Sequence, residues 1–193
     1  MKREPARLMD REDVSQLLAY CTSTRHPERN TVIVQLSFKA GLRACEIAGL
    51  SWPMALKVSG EVAEHLSISQ HIAKYGSGRR IPMHPDLTEA LLRLWISSAR
   101  PREGPVIRSE RGGHMTARSV VNWFGAAYTD LGLLGCSSHS GRRTFITQAA
   151  RIVSKTGGSL RDVQELAGHR ALTTTERYIA GDRDSQRKLI GLL

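Results

Sequence analysis

Polar residues break the chain's apolar positions into short periodic runs, and the period changes along the sequence. Val14, Leu17 and Leu18 form a stripe at helical spacing behind Asp10, which stands where an N-cap is wanted. A second helix is predicted from about Pro27 to Ala40, with Gly41 as its C-terminal stop. A short helix follows, carrying Arg43, Glu46 and Ile47, and Pro53 closes that region. Between Ala55 and Met83 the period shortens. Leu66, Ile68 and the pair His71 and Ile72 roughly alternate with polar residues. Gly76-Ser77-Gly78 is a turn signal, and Arg79 to Met83 reads as a returning strand. After Pro85 the helical period returns in Leu87, Leu91, Leu92, Leu94 and Trp95, and Pro105 to Ile107 reads as one more short strand.

The second half is helical throughout. Thr116 or Ala117 to Leu131 carries Val120, Val121, Trp123, Phe124 and Ala127. His139 to about Val153 carries Phe145, Ile146, Ala149 and Ile152. Ser159 is an N-cap for Leu160 to Ala167, and two last helices are predicted at Thr174 to Ile179 and Asp184 to Leu193. The pattern predicts a mainly α fold with a small antiparallel β-sheet (α+β). No internal repeat, low-complexity tract or linker rich in Pro, Gly or Ser divides the chain, so a single domain over 1–193 is expected.

Composition narrows the function classes. Of 193 residues 40% are hydrophobic, which is enough for a core and excludes wholesale disorder. The formal net charge of +10 points to a polyanion, either nucleic acid or an anionic membrane surface, although many basic proteins simply carry solvated basic faces. No apolar run approaches the roughly 20 residues of a membrane span; Gln35 interrupts even the stretch from Thr31 to Leu36. Met1 to Arg11 is charged and lacks the apolar centre of a secretory signal. Cys21, Cys45 and Cys136 are odd in number and contain no CxxC pair, so neither a disulfide framework nor a cysteine zinc site is suggested, and a reducing cytoplasm is the simplest setting. No HExxH is present, which argues against a zinc hydrolase.

Six residues stand out, each in a recognisable local frame. Arg43 lies in Gly41-Leu42-Arg43-Ala44-Cys45-Glu46-Ile47, and Lys74 beside the Gly76 turn. His139 and Arg142 lie in His139-Ser140-Gly141-Arg142-Arg143-Thr144-Phe145. His169 follows Gly168 at a helix end, and Tyr178 comes nine positions later. Singly, each has an ordinary explanation: a surface charge, a solvated hairpin lysine, a histidine favouring a helix dipole, a half-buried aromatic. Together, in this order, they resemble the catalytic domain of the tyrosine site-specific recombinases, or phage-type integrases. That family's first box reads like T-G-L-R-x-x-E-L, matched from Gly41 to Ile47. Its second reads H-x-L-R-H-T-F-A-T, matched from His139 to Thr147, and its end reads L-G-H-x-x-x-x-T-x-x-Y, matched by Ala167-Gly168-His169, Thr174, Thr175 and Tyr178. The resemblance covers nearly the whole chain from about Asp10.

The resemblance implies DNA strand cleavage and rejoining by transesterification, in integration, excision or inversion, through a 3′-phosphotyrosine and without ATP or metal. It assigns Tyr178 as nucleophile, with Arg43, Lys74, His139, Arg142 and His169 as the other catalytic residues. The chemistry suits these residue types. Two guanidiniums can clamp the non-bridging oxygens of a phosphodiester and remain charged at any working pH. A phenol with an ordinary pKa of about 10 needs a positive field or a base. A 5′-oxygen leaving group needs a proton, which Lys74 as the family's general acid would supply. His139 would act as base or phosphate donor, and His169 as a further donor. His139 and Arg142 share a helix face at i and i+3, as does Arg143 at i+4; spacing does not choose between the arginines, and the family pattern selects Arg142. Glu46, at i+3 from Arg43, either orients that guanidinium or forms an ordinary surface pair.

Two residues depart from the pattern. Gly141 replaces an apolar residue and is expected to loosen the helix start, since Gly costs about 1 kcal/mol against Ala. Arg143 replaces a histidine and adds charge near the phosphate path or faces solvent. Arg79, Arg80, Arg108, Arg111, Arg118, Arg151 and Lys155 fit a DNA-facing surface, Arg79 and Arg80 foremost because they flank the Lys74 hairpin. The resemblance further implies double-stranded DNA as partner and a homo-tetrameric synapse, with a monomer possible in solution and no membrane role. The N-terminal helical domain that most members carry is absent from this chain, which is either naturally short or a fragment. Residues 182–193, ending Leu189-Ile190-Gly191-Leu192-Leu193, would dock into a neighbouring subunit or onto their own core. The alternative function is a DNA-binding regulator or accessory protein without catalysis; relaxation of DNA in the manner of a type IB topoisomerase is a third.

Overall fold

The computed structural model describes residues 5–73, 76–178 and 190–191. Its elements run α1 (Arg11–Thr22), α2 (Pro27–Lys39), α3 (Ala44–Gly49), β1 (His65–Ile68), β2 (Arg79–Pro82), α4 (Pro85–Ser97), α5 (Ala117–Asp130), α6 (Ser140–Ile152), α7 (Leu160–Ala167) and α8 (Leu172–Glu176). Single 3₁₀ turns at Trp52–Met54 and Val153–Thr156 join them. The fold class is mainly α with one two-stranded antiparallel sheet. No helix among the described residues is long and apolar enough to cross a membrane.

Local chemistry explains the boundaries. Asp10 caps α1 by accepting from the Asp13 amide, and the Asp13 carboxylate returns the bond to the Asp10 amide. Ser159 and Asp162 repeat that reciprocal pair at α7. Thr116 caps α5. Helix α2 buries Val32, Ile33, Val34, Leu36 and Phe38 together with Asn30, Gln35 and Ser37. Burial on nearly every face makes it the central helix, packed against α1, α4 and α6. Helix α4 shows the opposite case: only Leu87, Ala90, Leu91 and Leu94 are buried, one stripe at i, i+3, i+4 and i+7. In the sheet His65 pairs with Pro82 and Ile68 with Arg79, so Leu66, Ile68 and Ile81 turn into the core.

The core has two parts. The larger joins α1 to α5 and both strands, with Trp52, Phe124 and Leu36 among its fully buried side chains. The smaller gathers Ile146, Val163 and Ala167, with Phe145, Leu160 and Tyr178 packed against them. It locks α6, α7 and the turn after α8 together; Arg142 and Tyr178 lie on these elements, His139 directly precedes α6, and His169 follows the Gly168 cap of α7.

Several expectations are corrected. His71 and Ile72 lie in a turn beyond β1 and do not extend the strand. Pro105 to Ile107 forms no strand among the described residues: Pro105 makes one isolated bridge to Ser51, and Val106 and Ile107 fill the core. The helix expected at Thr174 to Ile179 starts earlier and ends at Glu176. Ile179 and, apart from 190–191, the segment 182–193 with its predicted helix lie outside the described residues. Gly141 does not loosen α6. A Cβ there would overlap Ser37 Oγ and stand 2.8 Å from the Phe38 ring, so Gly141 is the point at which α6 lies directly on α2. Gly141→Ala should therefore lower stability by about 1–3 kcal/mol through overpacking, despite the roughly 1 kcal/mol that Ala ordinarily gains in a helix. Urea denaturation reads the difference, and a higher midpoint for the alanine variant would contradict this packing.

Candidate active site

Three helix ends meet beside β2. Gly41 follows the C-terminus of α2, Arg43 caps the N-terminus of α3, and the Leu166 and Ala167 carbonyls end α7. Helix-terminal carbonyls lack intrahelical donors and carry the negative end of the dipole, so they attract cations. Arg142, on α6 and 4% exposed, takes that role: Nη1 donates to the Gly41 carbonyl at 2.5 Å and Nη2 to the Ala167 carbonyl at 2.6 Å. One guanidinium thus joins the ends of α2 and α7, and it retains further N–H groups.

Glu46 is the counter-charge and is fully buried. Its Oε2 accepts from the Arg43 amide at 2.9 Å and its Oε1 from Arg43 Nη1 at 3.0 Å. Arg79 approaches from β2, donating Nη1 to Oε1 at 2.9 Å and Nη2 to Oε2 at 3.1 Å, while its Nε donates to the Leu166 carbonyl at 2.8 Å. Glu46 is therefore an interior ligand of two arginines and not a surface pair. Arg79 is only 7% exposed at its side chain, turned inward from the DNA-facing position expected for it.

His169 enters through a left-handed turn. Gly168 caps α7 with φ +62°, and a Cβ there would stand 2.8 Å from Arg79 Nη1, so both the conformation and the space require glycine. The imidazole Nδ1 lies 2.9 Å from the buried Thr175 hydroxyl, and Gln164 Nε2 donates to the His169 carbonyl at 2.9 Å. Tyr178 stacks on the imidazole with centroids 5.7 Å apart and planes 23° from parallel. Arg43, Arg142, His169 and Tyr178 thus occupy one region, with Arg79 and Glu46 behind them. His139 is the residue before α6, exposed, with no hydrogen bond from its imidazole among the described residues. Lys74 lies outside the described residues.

The other basic residues divide. Arg80, Arg108, Arg111, Arg118, Arg151 and Lys155 are exposed. Arg143 is half-buried and donates to the Ala6 carbonyl at 3.0 Å, holding the segment before α1 and not facing solvent as one expectation had it. Sequence reasoning did not single out Thr175 as the partner of His169, nor Arg79 as an interior group. Arg79 had a signal: it sits two residues before the core residue Ile81, on the same strand face.

The charges shift one another. Burial works to raise the Glu46 pKa, but hydrogen bonds and charge from Arg79, then Arg43, overcome it and hold the carboxyl below its ordinary value. Burial lowers Arg142 to about 10, helped by Arg43 and Arg79 and opposed by Glu46, so it stays charged at neutral pH. Burial, then the charges of Arg142, Arg43 and Arg79, lower His169 to about 4, which leaves it neutral near pH 7. An unfolded histidine takes up its proton near pH 6.5, whereas this one resists until about pH 4. The stability it contributes is thus complete above about pH 6.5 and is lost as the pH falls toward 4, about 3 kcal/mol in all. Urea denaturation of the DNA-free protein should show this acid-side loss, and His169→Asn should flatten it; equal pH profiles for the two proteins would contradict it.

A family model described as the phage integrase family matches residues 7–184. Tyrosine recombinase XerC of Xylella fastidiosa (strain 9a5c) is 27% identical over 177 residues, covering 91% of this chain and 56% of the relative. The chain thus spans little more than half the length of that curated relative. The Tn1549 transposon integrase in complex with a circular intermediate DNA superimposes with a TM-score of 0.73 at 21% identity, covering all of this chain and 67% of that one, a likeness of fold. The integrase from mycobacterium phage Brujita gives a TM-score of 0.62 at 26% identity, covering 99% of this chain and 58% of that one.

Proposed function

The chain belongs to the phage integrase family of tyrosine recombinases, and from that membership we propose that it cuts and rejoins DNA strands at specific sites through a covalent 3′-phosphotyrosine. The observation that carries the proposal is the stacking of Tyr178 on His169, an imidazole that lies in the combined field of Arg142 and Arg43. Three arginines and one carboxylate give this region an excess of two positive charges in a largely buried setting, complementary to a phosphodiester. DNA is the partner proposed, in keeping with the +10 charge and with the DNA present in the Tn1549 integrase complex.

In the proposed reaction the Tyr178 oxygen attacks the scissile phosphorus. A bond to the 3′-phosphate forms, the bond to the 5′-oxygen breaks, and that oxygen leaves with a proton. Arg43 and Arg142 clamp the non-bridging oxygens, where charge accumulates in the transition state. His169 is neutral at pH 7. When Thr175 donates its hydroxyl to Nδ1, the proton sits on Nε2, which then faces the phosphate as a donor. Lys74 is proposed as the acid for the leaving oxygen, and exposed His139 as a base or phosphate donor. The phosphotyrosine conserves the bond energy, so attack by a 5′-hydroxyl of another strand reverses the step. Exchange between two duplexes takes four cleavages and hence four tyrosines, which makes a homo-tetramer the proposed synapse. The exposed arginines Arg80 and Arg118 are proposed DNA contacts.

Nicked duplexes drawn from the DNA flanking the gene test this reading, because the nick lets the short leaving strand diffuse away and traps the intermediate. The expected result is a protein–DNA band that survives denaturant. A protein that shifts these duplexes without forming such a band would overturn catalysis and leave a DNA-binding regulator.

A further inference from the structure

We propose that Arg79 is a positioning residue that keeps Arg43 available to the phosphate by occupying the carboxylate of Glu46. The inference rests on the recombinase reading above and concerns a residue outside the six catalytic candidates. A buried carboxylate beside a single arginine frequently closes into a bidentate pair, two oxygens against two guanidinium nitrogens. Glu46 does not do so with Arg43. Arg79 takes the two-pronged position through Nη1 and Nη2, and Arg43 reaches the carboxylate only through Nη1 and its backbone amide. Among the described residues, Nε and Nη2 of Arg43 have no hydrogen-bond acceptor, and the Arg43 side chain is 19% exposed where that of Arg79 is 7% exposed.

Arg79 itself is fixed. Its Nε holds the Leu166 carbonyl, so all three guanidinium nitrogens are engaged inside the protein, and Gly168 leaves it the room to pass. A guanidinium so committed is unsuited to gripping DNA. It serves as a decoy counter-ion: the carboxylate needed to orient Arg43 is kept from neutralising it. Lysine in place of Arg79 would preserve the charge but lose the fork, since an ammonium cannot hold both Glu46 oxygens and the Leu166 carbonyl in one plane.

The experiment is a double-mutant cycle of Arg79→Gln and Glu46→Gln, with Arg79→Lys beside it. Single-turnover cleavage of the nicked duplex is measured at saturating DNA, the affinity for intact duplex as a function of salt, and the thermal midpoint. Arg79→Gln should slow cleavage about 10–100-fold, the scale of a misplaced catalytic group, with the salt slope of binding unchanged. Arg79→Lys should be similarly slow although its charge is intact. Adding Glu46→Gln to Arg79→Gln should recover at least about 10-fold, because a neutral amide no longer closes on Arg43. Additive losses, with a salt slope reduced by about 1 in Arg79→Gln, would show a direct phosphate contact and overturn the inference. So would cleavage by a folded Arg79→Lys at the wild-type rate, which settles the matter even if the glutamine variant fails to fold. A wild-type protein that forms no adduct counts instead against the recombinase reading itself.

Discussion

Tyr178→Phe is expected to abolish formation of the covalent DNA adduct, a loss of at least about 10⁴-fold in cleavage, while the protein folds and binds DNA as before. The Tyr178 hydroxyl makes no hydrogen bond among the described residues, and the ring contributes by stacking on His169 and by packing against the small cluster of Ile146, Val163 and Ala167. Phenylalanine preserves both contacts, so the change in stability should stay within about 0.5 kcal/mol. Single-turnover cleavage, a gel shift on intact duplex and a urea melt together test the prediction. An adduct of undiminished yield from the Phe variant would remove Tyr178 from the chemistry.

Arg142→Ala should combine a catalytic loss with a structural one. Withdrawing a preorganised donor to the transition state typically costs about 10²–10³-fold in rate. Here the same guanidinium is also the tie between the Gly41 and Ala167 carbonyls, and both lose their donor. An orphaned buried acceptor costs about 1–3 kcal/mol. Relief of the repulsion among Arg142, Arg43 and Arg79 offsets part of that, and the net loss should be about 2 kcal/mol. At saturating DNA and with the folded fraction measured separately, the rate loss should remain. A folded variant cleaving within threefold of wild type would show that the residue only braces α2 against α7.

What the sequence could convey follows from how local each feature is. The caps at Asp10 and Ser159, the stripe of α4 and the stop at Gly41 are set by residues within one or two turns, and they were legible. So was the order of Arg43, His139, Arg142, His169 and Tyr178, because each sits in its own short frame. The pairing of Arg79 with Glu46 was not, since it spans 33 positions and a charged residue beside a turn reads as solvated. Gly141 misled for the same reason: helix propensity counts what its own helix loses and ignores Ser37 and Phe38 on the helix it lies against. Pro105 to Ile107 had the apolar content of a strand, but among the described residues it finds no continuous partner: Pro105 makes an isolated bridge to Ser51, the Val106 amide donates to the Leu50 carbonyl, the Ile107 carbonyl accepts from the Met115 amide, and Val106 and Ile107 turn into the core.

The central claim is that Tyr178 is the nucleophile that carries the broken strand. Its most direct test is to trap the wild-type adduct on a nicked duplex, digest it with nuclease and protease, and locate the attached nucleotide by mass spectrometry. The account predicts a single modified peptide, with Tyr178 joined to a 3′-phosphate. Attachment at any other side chain, attachment to a 5′-phosphate, or bound DNA with no attachment at all would contradict it.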